Sequence, residues 1–163
     1  MIMRVTSRQD GFTFIEIAIT VAIVALLATL VVPMGELMVK RDKEQQLRLA
    51  LREIRTAVDA YKRAVDEGRV ATEMDKSGYP PQLKVLVDGV ADLKSPDPNR
   101  KLYFLRRIPR DPMESDQAKN NEETWGKRSY ESDPDAPEEG DDVFDVYSKS
   151  ADVGINGVPY RDW

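Results

Sequence analysis

From Phe12 to Val32 the chain runs 21 residues with one charged side chain, Glu16. At about 1.5 Å per residue such a run covers roughly 30 Å as a helix, the thickness of a hydrocarbon core. A segment of that kind restricts the rest of the molecule, because its apolar surface must be covered by lipid or by protein. A carboxylate five residues into it is expensive, and an ionisable residue in such a position is by default a functional one. The plainer alternative is a Glu near the edge that snorkels to the interface.

The residues around Glu16 argue against the plainer alternative. The string Gly11-Phe12-Thr13-Phe14-Ile15-Glu16 resembles the processing site of the type IV pilin and pseudopilin family, with Phe14 and Ile17 where leucines are common. The resemblance implies that a prepilin peptidase cuts between Gly11 and Phe12, and that the new terminus at Phe12 is N-methylated. Glu16 is then the fifth residue of the mature chain, the position this family uses for filament assembly. A buried carboxylate needs a partner, and the terminal amine of an adjacent subunit is a suitable cation. Met1–Gly11 is polar and precedes the apolar run, so it does not read as a conventional signal peptide. Arg4 and Arg8 fit a cytoplasmic N-terminus, but Lys40, Arg41 and Lys43 beyond the run weaken a pure charge count, and the expected orientation follows the resemblance.

Composition removes several function classes. The net charge of −5 argues against nucleic acid as a partner. The absence of Cys excludes disulfides and thiol chemistry. The absence of His removes His-based acid–base catalysis, the Ser-His-Asp arrangement and nearly all catalytic zinc sites. No phosphate-cradling Gly-rich loop is present. The expectation is a protein that is not an enzyme.

Beyond Pro33 and Gly35 the apolar positions Leu47, Leu51, Ile54, Val58, Tyr61 and Val65 recur at spacings of four and three, a single-face helical stripe. It predicts that the helix continues to about residue 67, where Gly68 stops it. From Phe12 that helix would be roughly 80 Å long, apolar all round at first and then amphipathic, with the stripe packed as core. Pro33 removes a helical hydrogen bond and Gly35 loosens the backbone, so a kink is expected there. In the family resembled, this region can lose helicity when subunits enter the filament.

A short second helix is expected around Tyr79-Pro80-Pro81 to Gly89, with Leu83, Leu86 and Val87 on one face. The stretch 91–100 reads as a loop, and 132–142, with six acidic residues, as a solvated, mobile one. Val143 to Ser148 reads as a strand, with 127–130 as a weaker partner. Trp163 is expected to pack on the head. The fold class is α+β: a long N-terminal helix packed on a small head with a short antiparallel sheet. The expected organisation is a leader over 1–11, a membrane and filament-core helix over 12–34, and a periplasmic head over 35–163.

The blocks Ile108-Pro109-Arg110-Asp111-Pro112, Trp125-Gly126-Lys127-Arg128-Ser129-Tyr130 and Phe144-Asp145-Val146-Tyr147-Ser148, with Trp163, are similar to the head of the major pseudopilin of type II secretion systems. There the first two blocks are usually continuous; here 113–124 separates them. The resemblance implies a structural subunit of a periplasmic pseudopilus. Its partners would be identical subunits, minor pseudopilins, prepilin peptidase, an inner-membrane assembly platform and membrane lipid. It also implies calcium in the loop before Trp163, where Asp152 matches the first ligand and Asn156 or Asp162 stands in for the second. A metal-free Asp-capped turn is the alternative. Two other readings remain open: a type IV pilin or competence pseudopilin, and a membrane-anchored periplasmic calcium-binding module with an uncleaved anchor.

Overall fold

The computed structural model describes residues 11–73 and 75–163, with the backbone alone at 30–33. The leader before Gly11, with Arg4 and Arg8, lies outside the described residues. Helix α1 spans Phe14–Asp66, and α2 spans Leu83–Asp88. Four short strands follow: β1 (Val90–Ala91), β2 (Lys101–Leu102), β3 (Trp125–Arg128) and β4 (Asp145–Ser148). A 3-10 turn covers Tyr160–Asp162. The chain divides into two compact units, one ending at Lys40 and the other Arg41–Trp163. The α+β class is as expected.

In the first unit α1 is apolar and exposed. It is long and apolar enough to cross a membrane, and its most apolar stretch is not buried within the protein. Two hydroxyls in that stretch are satisfied by the helix itself: Thr20 Oγ1 donates to the Ile17 carbonyl at 2.9 Å and Thr29 Oγ1 to that of Leu26 at 2.7 Å. Such back-bonding makes a hydroxyl tolerable in lipid. Helix α1 runs unbroken across Pro33 and Gly35.

In the second unit the predicted stripe is the core. Leu47, Leu51, Ile54, Val58, Tyr61 and Val65 are all buried, joined by Ala50, Ala57 and Ala64. The helix ends where predicted: Gly68 takes a φ of +67° and donates to the Val65 carbonyl at 2.8 Å, while Arg69 N–H reaches the Ala64 carbonyl at 2.8 Å. A positive-φ glycine that closes the last turn is the common way to satisfy end carbonyls. Helix α2 buries Leu83 and Leu86, and the Leu86 carbonyl accepts from both Phe104 and Leu105 N–H.

The sheet is two separate antiparallel pairs. β1 and β2 pair Val90 with Leu102, and β3 and β4 pair Trp125 with Ser148 through Arg128 with Asp145. β3 therefore begins two residues before the stretch predicted as the partner, because Trp125 and Gly126 belong to the ladder. The close approach there needs glycine: a Cβ on Gly126 would stand 2.3 Å from the Tyr147 ring. The acidic stretch 132–142 is largely exposed, yet it is tied down at its end. Lys76 pairs with Asp141 at 2.8 Å, Ser77 bonds Asp142, and Asp142 Oδ1 accepts the Tyr130 N–H at 2.8 Å.

One ion pair carries a pH signature. Arg69 Nη2 lies 2.6 Å from Asp92 Oδ2, and Nε lies 3.3 Å from Oδ1. The hydrogen-bonded guanidinium holds the Asp92 carboxyl below the usual carboxylate range. A depressed folded pKa contributes stability that is present above the unfolded value, about 4, and lost as pH falls through the folded one. The stability difference between the wild type and Arg69→Gln should therefore shrink as pH is lowered through about 4. Urea titrations at several pH values measure it, and a difference independent of pH would remove this pair from the acid response. Asp111 works in the opposite sense, since burial pushes its carboxyl up.

Candidate functional site

The junction that opens α1 is built by Thr13. Its Oγ1 accepts the Glu16 N–H at 3.3 Å, and its carbonyl accepts the Ile17 N–H at 3.2 Å. Thr13 is thus the residue that caps α1, and Thr13-Phe14-Ile15-Glu16 has the spacing of a capping box. That spacing was legible in the sequence, but the role of Thr13 was not drawn from it. Glu16 stands in the first helical turn, where the helix dipole favours negative charge. No hydrogen bond or ion pair engages its carboxylate among the described residues. Around it Phe12, Phe14 and Ile15 are each more than two-thirds exposed. Among the described residues the site offers an anion with no partner, set in an uncovered apolar surface, directly after the Gly11–Phe12 bond.

A second cluster joins α1 to the loop that ends at Trp163. Glu44 is buried, with 6% exposure. Its Oε1 accepts the Ile155 N–H at 2.7 Å and the Tyr160 hydroxyl at 3.0 Å. Burial first, and then the bond to Glu44, push the Tyr160 phenol up to about 12. Arg48 lies over the Trp163 ring at 4.4 Å. Arg55 Nε meets Asp145 Oδ1 at 2.7 Å, and its Nη2 meets the Trp163 main-chain oxygen at 2.8 Å. Positions 44, 48 and 55 fall on one face of a 3.6-residue helix. The apolar stripe predicted from the sequence includes none of these three positions, and nothing in the periodicity singles out Glu44.

The donor set for calcium is poor. Asp152, Asn156 and Asp162 are all exposed. Asn156 Oδ1 is used by the Val158 N–H at 3.1 Å, and Asp162 pairs with Arg161 at 3.6 Å. Asn156 and Asp162 do line a common groove of about 570 Å³, but its other walls include Arg48, Arg52 and Arg55, and Asp152 is not among them. Arginines there oppose a cation. Among the described residues no group of three or more Asp, Glu, His or Cys is placed to hold a metal.

The three sequence blocks of the head converge on one buried point. Trp125 is fully buried and its Nε1 donates to the Pro109 carbonyl at 2.8 Å. Buried Asp111 accepts the Ser148 hydroxyl at 2.6 Å and the Met113 N–H at 2.8 Å. The intervening stretch 113–124 closes on itself. Arg110 reaches the carbonyls of Lys119, at 2.8 Å, and Asp116, while Asn121 Nδ2 donates to the Ile108 carbonyl at 2.8 Å. Pro109 and Trp125 therefore stay adjacent although the sequence separates them.

The profile described as "Prokaryotic N-terminal methylation motif" matches residues 6–32, which takes in the junction and the apolar start of α1. With the exposed apolar helix and the small α+β head, this defines a type IV pilin-like subunit. The type II secretion system core protein G of Klebsiella pneumoniae is 32% identical over 115 residues, spanning 67% of this chain and 72% of that protein. The protein of the same name from Vibrio cholerae serotype O1 is 29% identical over 118 residues, spanning 70% and 72%. That of Aeromonas hydrophila is 30% identical over 110 residues, spanning 64% and 68%. The chain belongs to this family, the major pseudopilins. No solved structure matches the chain.

Proposed function

We propose that the chain is the structural subunit of a periplasmic pseudopilus that serves type II secretion. The observation that carries this reading is Glu16, a carboxylate without a partner among the described residues, at the head of an uncovered apolar helix. In a helical filament the apolar surfaces of neighbouring α1 helices bury one another, and heterologous contacts that do not close generate the filament. The amine freed at Phe12 of one subunit then meets the Glu16 carboxylate of the next. A charge pair inside an apolar core is selective, because any other register leaves both charges buried and unpaired.

The chain is held in the inner membrane by the start of α1, with its N-terminus cytoplasmic and its head periplasmic. Prepilin peptidase cuts after Gly11 and the Phe12 amine is methylated. An assembly platform extracts subunits from the lipid into the filament, with minor pseudopilins as further partners, and the growing filament moves substrate outward. Pro33 and Gly35 are where α1 gives up helicity on entering the filament, since Pro33 has no N–H to hold that turn. The role is mechanical, with no catalysis and no nucleic acid.

The reading is tested at the chain's own terminus. Mass spectrometry of protein extracted from membranes should find a mature chain that begins at N-methyl-Phe12. A chain that retains Met1 overturns the proposal.

A further inference from the structure

We propose that Glu44, rather than a bound cation, fastens the loop 150–162 to α1, so that this part of the head keeps its structure without metal. The inference stands on the loop's own geometry and is independent of the filament reading.

A cation draws acceptors inward: carboxylates and backbone carbonyls converge on it from several directions. The loop here is arranged in the opposite sense. Two of its donors, the Ile155 N–H and the Tyr160 O–H, converge on a single oxygen of Glu44 at 2.7 and 3.0 Å. Three of its carbonyls already accept from within the loop. Asp152 O takes the Tyr160 N–H at 3.1 Å, Gly154 O takes the Gly157 N–H at 2.9 Å, and Val158 O takes the Gly154 N–H at 2.9 Å. Val158 O also takes the Trp163 indole N–H at 3.3 Å. Gly154 is packed so closely that a Cβ would stand 2.6 Å from both Asn156 Oδ1 and the Trp163 ring.

The attachment is strong for chemical reasons. Glu44 and Tyr160 are both buried, at 6% and 2% exposure, and hydrogen bonds to a carboxylate in such surroundings exceed neutral ones. With its phenol pushed up to about 12, Tyr160 remains a donor at any physiological pH. Arg48 over the Trp163 ring and Arg55 at the Trp163 oxygen fix the far end of the same loop. Those arginines and Arg52 line the adjoining groove and outnumber its carboxylates, Asp59 and Asp162, which disfavours a cation at Asn156 and Asp162.

The test is hydrogen exchange read by mass spectrometry on the full chain in detergent, with EGTA or with excess calcium chloride. Wild-type peptides covering 153–160 should exchange at the same rate in both. Glu44→Ala should speed their exchange about 10-fold or more, since both bonds are lost. Glu44→Gln, which keeps an acceptor oxygen, should restore most of the protection. Peptides from α2 and the β3–β4 pair report whether the head remains folded. If Glu44→Ala loosens these too, Tyr160→Phe decides, because it deletes one donor and should loosen the loop alone. The proposal is overturned if EGTA loosens the wild-type loop and calcium restores it. It is equally overturned if the loop keeps wild-type exchange in Glu44→Ala or, in the second case, in Tyr160→Phe.

Discussion

Glu16→Ala should abolish filaments while leaving a membrane-inserted chain with an intact head. The local cost of the substitution is small. Thr13 Oγ1, not the Glu16 side chain, accepts the Glu16 N–H, so the cap survives, and what α1 loses is the favourable placement of one anion at its N-terminus, about 0.3–1 kcal/mol. The cost in the assembled state is larger. Removal of one member of a buried charge pair strands the other, at about 3–5 kcal/mol, and a filament incurs that at every subunit. Only the second term is large enough to prevent assembly. Glu16→Gln keeps the shape and removes the charge, so it should fail as Ala does. Thr13→Ala weakens the cap by roughly 0.5–2 kcal/mol but keeps the charge, and it should still assemble. Sheared filaments and membrane-fraction protein, quantified by immunoblot from the same cells, separate these cases. Filaments at wild-type level from either Glu16 variant would remove the carboxylate from the mechanism.

How much of this could be read before the structure differs from place to place. The buried stripe from Leu47 to Val65 was legible because a helix that packs on one side repeats its apolar residues every three or four positions. The turn at Gly68 and the α2 face of Leu83 and Leu86 followed from similarly local signals. Glu44 was not legible. Its partner Ile155 lies 111 residues further along the chain, and nothing local separates a charge beneath a distant loop from one in solvent. Arg48 and Arg55 were hidden in the same way. The β1–β2 pair escaped because two residues are too few to show alternation. The block similarity survived the stretch 113–124 because Arg110 closes that stretch at its base, which leaves the Pro109 carbonyl at the Trp125 indole.

Trp125→Ala should be the most damaging single change in the head. The side chain is fully buried, and truncation of a buried Trp removes about 3–5 kcal/mol. Whole domains hold only about 5–15 kcal/mol, so the variant sits near its unfolding threshold. For a domain of about 120 residues this corresponds to a fall in Tm of roughly 10–20 °C. Two effects contribute, and Trp125→Phe separates them. Phe keeps most of the ring but has no N–H, so the Pro109 carbonyl loses its donor, at a cost of about 1–3 kcal/mol. If packing dominates, Phe should recover at least half of the loss seen with Ala; if the indole bond dominates, Phe should be nearly as damaged. The burial on all sides favours the first. Near-UV circular dichroism of the full chain in detergent, followed through thermal unfolding, measures both. A Tm within about 3 °C of wild type for Trp125→Ala, under 1 kcal/mol on the same scale, would show that the convergence of the three blocks does not hold the head. Assembly should fail in this variant as it does in Glu16→Ala, but for a separable reason. The Trp125→Ala head should be cut by added protease at a temperature where the Glu16→Ala head resists.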